Sequence, residues 1–137
     1  MAQATKAKSE NSIFTGAFST FSVDDIAEAK EFYGENLGLD VRDEEEGLAL
    51  KLPGGQNVFI YPKDDHESAS FTVLNLQVDD IETAVQDLSD RGLEFESYDE
   101  PMKTDENGIY WGKEVDTGPN IAWFTDPAGN ILSIIED

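Results

Sequence analysis

The string Val23-Asp24-Asp25-Ile26 returns as Val78-Asp79-Asp80-Ile81, fifty-five positions later. Each copy follows a β-branched and aromatic run of alternating polarity and opens a helical pattern that closes near a glycine. The register holds on either side. Ala29 matches Ala84 at the same offset, and Leu37-Gly38-Leu39 is answered by Arg91-Gly92-Leu93 after a one-residue deletion. Self-similarity at a fixed offset marks a repeated architecture. Two copies are too few for a solenoid and indicate one domain made of two related halves.

Working outward, residues 13–22 read as a strand that ends where the first Val-Asp-Asp begins a helix. Asp24 or Asp25 can accept hydrogen bonds from the free N–H groups of the first turn, and Asp79 or Asp80 can do the same in the second copy. Ile26, Ala29, Lys30 and Tyr33 fall on one helical stripe, with Phe32 beside it. The helix is expected to stop near Asn36, with Gly38 free to turn left-handed beyond it. Residues 39–42, 47–52 and 57–61 then read as short strands around the turn Pro53-Gly54-Gly55. The second half repeats the plan: a strand over 71–78, a helix over 80–91 and a strand over 93–98. A long loop over 99–119 follows, with some strand in it, and then a hairpin of 121–125 and 131–135 across Asp126-Pro127-Ala128-Gly129-Asn130. Loops of that length inside a compact domain are more often functional than idle.

The fold class read from this is α+β, each half β-α-β-β-β. Residues 1–12 form a polar tail without the apolar core of a signal peptide. Residues 13–137 form a single domain: module one over 13–62, a polar linker over 63–69 and module two over 70–137.

Composition narrows the function. Thirty Asp and Glu against nine Lys and Arg give a formal net charge of −21. Such a surface repels phosphate backbones and anionic lipid, so neither nucleic acid nor membrane is an expected partner. The acidic residues are spread along the chain and read as a solubility or high-salt adaptation, with attraction of a cationic partner as the functional alternative. No apolar run approaches a membrane span, and the expected location is the cytoplasm. Zero cysteines remove disulfides, zinc–thiolate sites and thiol nucleophiles, and there is one histidine, His66.

The strand, Val-Asp-Asp-Ile, the helix ending Phe32-Tyr33 and the following Leu37-Gly38-Leu39 together resemble the first half of a vicinal oxygen chelate protein. That is the superfamily of glyoxalases, bleomycin-resistance proteins and extradiol dioxygenases. The closing run Ala122-Trp123-Phe124-Thr125-Asp126-Pro127-Ala128-Gly129-Asn130 resembles its last hairpin. The resemblance covers residues 13–137. It implies two βαβββ modules whose sheets curl around a cup with helices outside, and usually a divalent metal held by His, Gln or Glu on the first and fourth strand of each module. Carried over residue by residue, those positions are Phe18, Phe59, Val73 and Ser133. Phenylalanine and valine offer no donor atom, and a lone serine is a poor ligand. No metal or other cofactor is therefore expected, nor glyoxalase I or dioxygenase activity that depends on one.

Strand alternation assigns the cup side chains: Phe18, Thr20 and Ser22; Asn57, Phe59 and Tyr61; Val73, Asn75 and Gln77; Ile131, Ser133 and Ile135. The long loop adds Tyr110, Trp111 and Glu114, while alternation does not settle the face of Trp123, which is expected in the core. An apolar concavity with a few fixed polar groups is the usual form of a small-molecule site. The expected ligand-binding residues are Phe18, Thr20, Phe59, Tyr61, Asn75, Gln77, Trp111 and Ser133. The leading reading is a metal-free protein that sequesters a small aromatic or cationic molecule, as a homodimer. A lyase or isomerase using cup side chains such as Tyr61 or Glu114 is one alternative, and an interaction module with Phe18 and Phe59 filling the cup is another. His66, within Asp64-Asp65-His66-Glu67-Ser68, reads as a surface residue of the linker.

Overall fold

The structure is a computed structural model that describes residues 13–137. The tail expected over residues 1–12 lies outside the described residues. Module one runs β1 (Ser19–Val23), α1 (Ile26–Glu31), a π-helical turn (Phe32–Asn36), β2 (Asp40–Glu44), β3 (Gly47–Lys51) and β4 (Asn57–Pro62). Module two runs β5 (Thr72–Gln77), α2 (Ile81–Asp90), β6 (Ile109–Trp111), a 3-10 turn (Gly112–Val115), β7 (Asn120–Thr125) and β8 (Ile131–Glu136). The modules form two four-stranded mixed sheets, ordered β1-β4-β3-β2 and β5-β8-β7-β6. In each, the first strand lies parallel to the fourth and the remaining pairs are antiparallel.

The repeated string begins both helices in the same way. Asp25 and Asp80 are extended, at φ/ψ of −136/108 and −138/107, and their carboxylates accept from Glu28 N and Thr83 N. That satisfies one otherwise free N–H in each first turn. The first helix departs from expectation past Glu31. Its last turn is π-helical, with Leu37 N–H donating to Phe32 O at 3.0 Å. The wider i→i+5 turn lets two successive aromatics face inward. Tyr33 is fully buried, and Phe32 packs edge-on to it at 5.1 Å and against Phe124 of module two at 6.3 Å.

Alternation divides each sheet into two faces. Inward-facing side chains of both sheets, including Val23, Leu50, Ile60, Phe124, Leu132 and Ile134, join Ala29 and Val85 of the helices in one buried cluster. Burying these side chains is the main force holding the modules together. Around it sits a polar clasp. Asp126, buried in the β7–β8 turn, accepts from Tyr33 Oη at 2.6 Å, from Asn130 Nδ2, and from the backbone N–H groups of Ala128 and Asn130. Asn130 Nδ2 also donates to Ser22 O of β1. Burial, then the charge of Asp126 and its hydrogen bond, push the Tyr33 phenol far above the ordinary tyrosine range, so it remains a donor.

Two expectations need correction. The strand expected over residues 93–98 is absent; Phe95 makes a single bridge to Phe124, and Glu96 N donates to Trp123 O. The chain then leaves the sheet and rejoins it as β6, against Asn120–Ala122. Asp105 causes the detour, drawing the N–H groups of Asn107 and Ile109 onto one carboxylate oxygen in a side-chain-built turn. Gly108 closes it at φ +87, where a Cβ would come within 2.8 Å of Phe95 Cβ. The second correction is His66, which is half-buried rather than on the surface. Its Nε2–H donates to Ala128 O at 3.2 Å, and its Nδ1 accepts from Ser22 Oγ at 2.6 Å. The linker is thereby tied to both modules.

Candidate functional site

The outer face of each sheet, turned away from the helices, carries the residues expected to line a cup. On module one, Thr20 pairs with Phe59, Ser22 with Tyr61, and Phe59 in turn with Ala49. Thr20 Oγ1 donates to Phe59 O at 2.7 Å, so this hydroxyl is used within the sheet. Phe18 precedes β1 and is 69 % exposed. On module two, Asn75 pairs with Ser133, Gln77 with Ile135, and Val73 sits in a bulge between Thr72 and Leu74. Ser133 is fully buried, and its Oγ donates to Asn75 Oδ1 at 2.5 Å. That bond satisfies the serine and leaves the Asn75 amide nitrogen as a donor on an exposed side chain.

Trp123 lies directly across from Ser133 in the β7–β8 ladder, which puts it on the outer face rather than in the core expected for it. Ile121 lies across from Ile135 on the same face, and Tyr110 lies across from Ile121. The three rings Tyr98, Trp123 and Tyr110 form a cluster. Tyr98 stands nearly perpendicular to Trp123 at 5.3 Å, and Tyr110 lies tilted 37° from it at 6.4 Å. These spacings are those of stabilising aromatic pairs. Tyr110 is held by a hydrogen bond between its hydroxyl and that of Thr117. Tyr98 is 39 % exposed, and partial burial followed by the nearby Glu96 charge raises its phenol above the ordinary range. It remains protonated and can donate.

Trp111 is not part of this cluster. One residue along β6 from Tyr110, it points to the inner face, packs against the core and donates from Nε1 to Asp105 Oδ2 at 2.8 Å. Desolvation would raise the Asp105 carboxyl, but the bonds from Trp111, Ile109 and Asn107 outweigh it and lower the pKa. Glu114 is exposed on the 3-10 turn. The structure thus joins Asn75, Ser133, Tyr110 and Trp123 on one face. It keeps Phe59, Thr20 and Tyr61 together on the other sheet and sets Trp111 behind. Tyr98 and Trp123 are the site residues that strand alternation alone did not reach. Counting the hairpin register across residues 126–130 would have placed Trp123 opposite Ser133, whereas nothing local marks Tyr98.

The donor set does not fit a divalent metal. Of the four positions, Phe18, Phe59 and Val73 have no ligating atom, and the Ser133 hydroxyl is engaged with Asn75. Among the described residues no three His, Cys, Asp or Glu side chains come together in a group that could hold one. Nor, among them, is any helix long and apolar enough to cross a membrane.

Two βαβββ modules with an aromatic and amide-bearing outer face define the class of protein. The chain belongs to the glyoxalase/bleomycin resistance protein/dioxygenase superfamily, whose model matches residues 17–134. No curated protein matches its sequence. Among solved structures it is similar to a glyoxalase family protein from Enterococcus faecalis, with 25% identity, a TM-score of 0.63, and coverage of 90% of this chain and 98% of that one. It is also similar to TnmS3, an antibiotic-binding protein from a Streptomyces species (21% identity, TM-score 0.60, coverage 91% and 98%). A third is the fosfomycin resistance protein FosX from Listeria monocytogenes (12% identity, TM-score 0.64, coverage 92% and 95%). The last two likenesses show the fold alone.

Proposed function

We infer that this is a metal-independent binding protein that sequesters a small aromatic, cationic molecule on the outer face of module two. The observation that carries the reading is the Tyr98–Trp123–Tyr110 cluster beside the Asn75–Ser133 pair. Trp123 supplies a large stacking face, and a cation held over an aromatic ring gains about 0.5–2 kcal/mol. Asn75, Gln77 and the Tyr98 hydroxyl supply directional hydrogen bonds. The net charge of −21 draws cations to the surface from a distance. Antibiotic binding in a relative of the same fold is consistent with this use.

The site is completed by a second copy of the chain, with Phe18, Phe59 and Tyr61 facing the module-two cluster across the dimer. The exposure of Phe18 and Phe71 supports this, because burying such apolar side chains against a partner is favourable. Sedimentation should give the mass of two chains, and Phe71→Asp should return it to one.

The test of binding is a thermal-shift and fluorescence titration with cationic and anionic aromatic compounds. It is run in a Trp111→Phe background, so that Trp123 reports alone. A cationic aromatic should quench Trp123 and raise the melting temperature, because a ligand that binds only the native state stabilises it. Trp123→Ala should reduce that rise, as about tenfold weaker binding requires. No shift with any compound, or a shift unchanged by Trp123→Ala and Tyr98→Ala, overturns the reading.

A further inference from the structure

The two modules meet twice, at junctions that their own repeat makes comparable. Hairpin registers equate Lys51 with Thr125 and Asn57 with Ile131, so the turn Leu52-Pro53-Gly54-Gly55-Gln56 corresponds to Asp126-Pro127-Ala128-Gly129-Asn130. Their backbones agree: Leu52 N donates to Gln56 O at 2.9 Å and Asp126 N to Asn130 O at 2.9 Å. Gly55 N donates to Leu52 O and Gly129 N to Asp126 O. The Val-Asp-Asp-Ile register likewise equates Tyr33 of α1's π-turn with Leu88 of α2, and Ser22 with Gln77. The sealed junction is Tyr33 on Asp126, with Asn130 reaching Ser22 O. Its twin has Leu88, Leu52 and Gln56 in those places.

At the twin the seal is missing and a crevice of about 460 Å³ remains. Its walls include Leu37 and Leu52 of module one and Leu74, Leu76, Leu88 and Ile134 of module two. That volume is within the range of small-molecule pockets, and the walls are aliphatic, without an aromatic ring among the lining residues. Its mouth is polar: Gln56, Asp87 and Arg91, with Asn75 and Gln77 on the side that borders the outer face. Arg91 is the sole cation of the lining and takes part in no ion pair among the described residues. Its guanidinium lies over Gly38, where an added Cβ would stand 3.0 Å from Nη1, so it spans the mouth from one module to the other. A planar guanidinium suits a carboxylate.

We propose that this inter-module crevice is a second binding site, separate from the Trp123 cluster and bordering it only through Asn75 and Gln77 of β5, for an aliphatic chain ending in a carboxylate. The chain replaces the Tyr33–Asp126 contact that the other junction builds from protein, and the carboxylate meets Arg91 at the mouth. Asp87 on the same rim opposes the head group, so the apolar chain carries most of the affinity. Occupancy adds to the side-chain bond that joins the modules at this end, from Asn36 Nδ2 to Arg91 O at 2.8 Å.

Decanoate is the probe, titrated calorimetrically into the full chain in about 0.5 M salt, where the long-range acidic field is screened. Saturable binding of one decanoate per chain is expected, with decylammonium weaker. Ala84→Phe, which fills the crevice from α2, should weaken it about tenfold or more, and so should Leu52→Asp with Leu88→Tyr, which transplants the seal. If the double variant does not fold, Ala84→Phe decides alone. Arg91→Gln should weaken decanoate but not decanol. Trp123→Ala should leave decanoate binding intact, which separates this site from the outer face. No saturable binding, binding indifferent to Ala84→Phe, or binding lost in Trp123→Ala overturns the site. Decylammonium matching decanoate overturns the role of Arg91.

Discussion

Module one and module two follow the same path with the same caps and the same closing turn, yet only the second carries an aromatic cluster on its outer face. The difference lies in one strand. The outer strand of module one, β2, is continuous and turns back through Glu45 and Glu46 into β3. In module two the corresponding strand is interrupted after Phe95, and a detour organised by Asp105 brings in Tyr98 and Tyr110 on either side of Trp123. The second module thus gains an aromatic cluster through an insertion at its sheet edge, while the strands that hold the core match those of the first. Loops on a fixed scaffold are where function commonly gathers.

The comparison can be broken at several points. The largest effect is expected at the sealed junction. Asp126→Ala removes a buried carboxylate that accepts from four donors and should cost roughly 3–5 kcal/mol in denaturant unfolding, the loss typical of a broken buried polar network. Its counterpart Leu52→Ala should cost about 1–2 kcal/mol, since Leu52 is only half-buried. Equal losses would mean that the two junctions do the same work. Tyr33→Phe should cost about 2 kcal/mol, a hydrogen bond to a charged group left half made.

Asp105 gives a pH test of the detour. Its folded pKa is lowered, so its contribution is complete above the ordinary aspartate value of about 4 and is lost as pH falls through the lower folded value. Melting curves between neutral and acidic pH should show that component in the parent and not in Asp105→Asn, which should cost about 1.5 kcal/mol at neutral pH. On the outer face, Trp123→Ala should weaken a cationic aromatic ligand about tenfold, or about 1.4 kcal/mol, and Phe59→Ala less. The smallest effects come where the modules match. Asp25→Ala and Asp80→Ala should each cost about 1 kcal/mol by calorimetry, and a clear inequality would show that the two caps are not equivalent.

Much of the fold was legible because it is written in repeated local signals. The Asp caps, the alternation in β1, β4, β5 and β8, and the residues of the last turn each follow from short-range chemistry. Phe59, Asn75 and Ser133 could be placed on a face by counting. Partners distant in the chain could not. His66 sits among acidic and polar neighbours that suggest exposure, but its contacts Ser22 and Ala128 are 44 and 62 positions away. Trp111 and Tyr110 are adjacent in a segment read as loop, and without the pairing of their three-residue strand with β7 their opposite sides could not be told apart. The strand expected over residues 93–98 had the right composition and was displaced by a turn whose organiser, Asp105, lies beyond it.

The linker has a consequence for how copies of this chain can assemble. Lys63 N donates to Val23 O, while His66 and Ser68 both reach Ala128 O. A protein built of two similar modules is a natural candidate for exchanging one of them with a neighbour. Here the connecting segment behaves as a latch, holding each first module to the second module of its own chain at high effective concentration. Exchange of modules between copies would first have to open that latch.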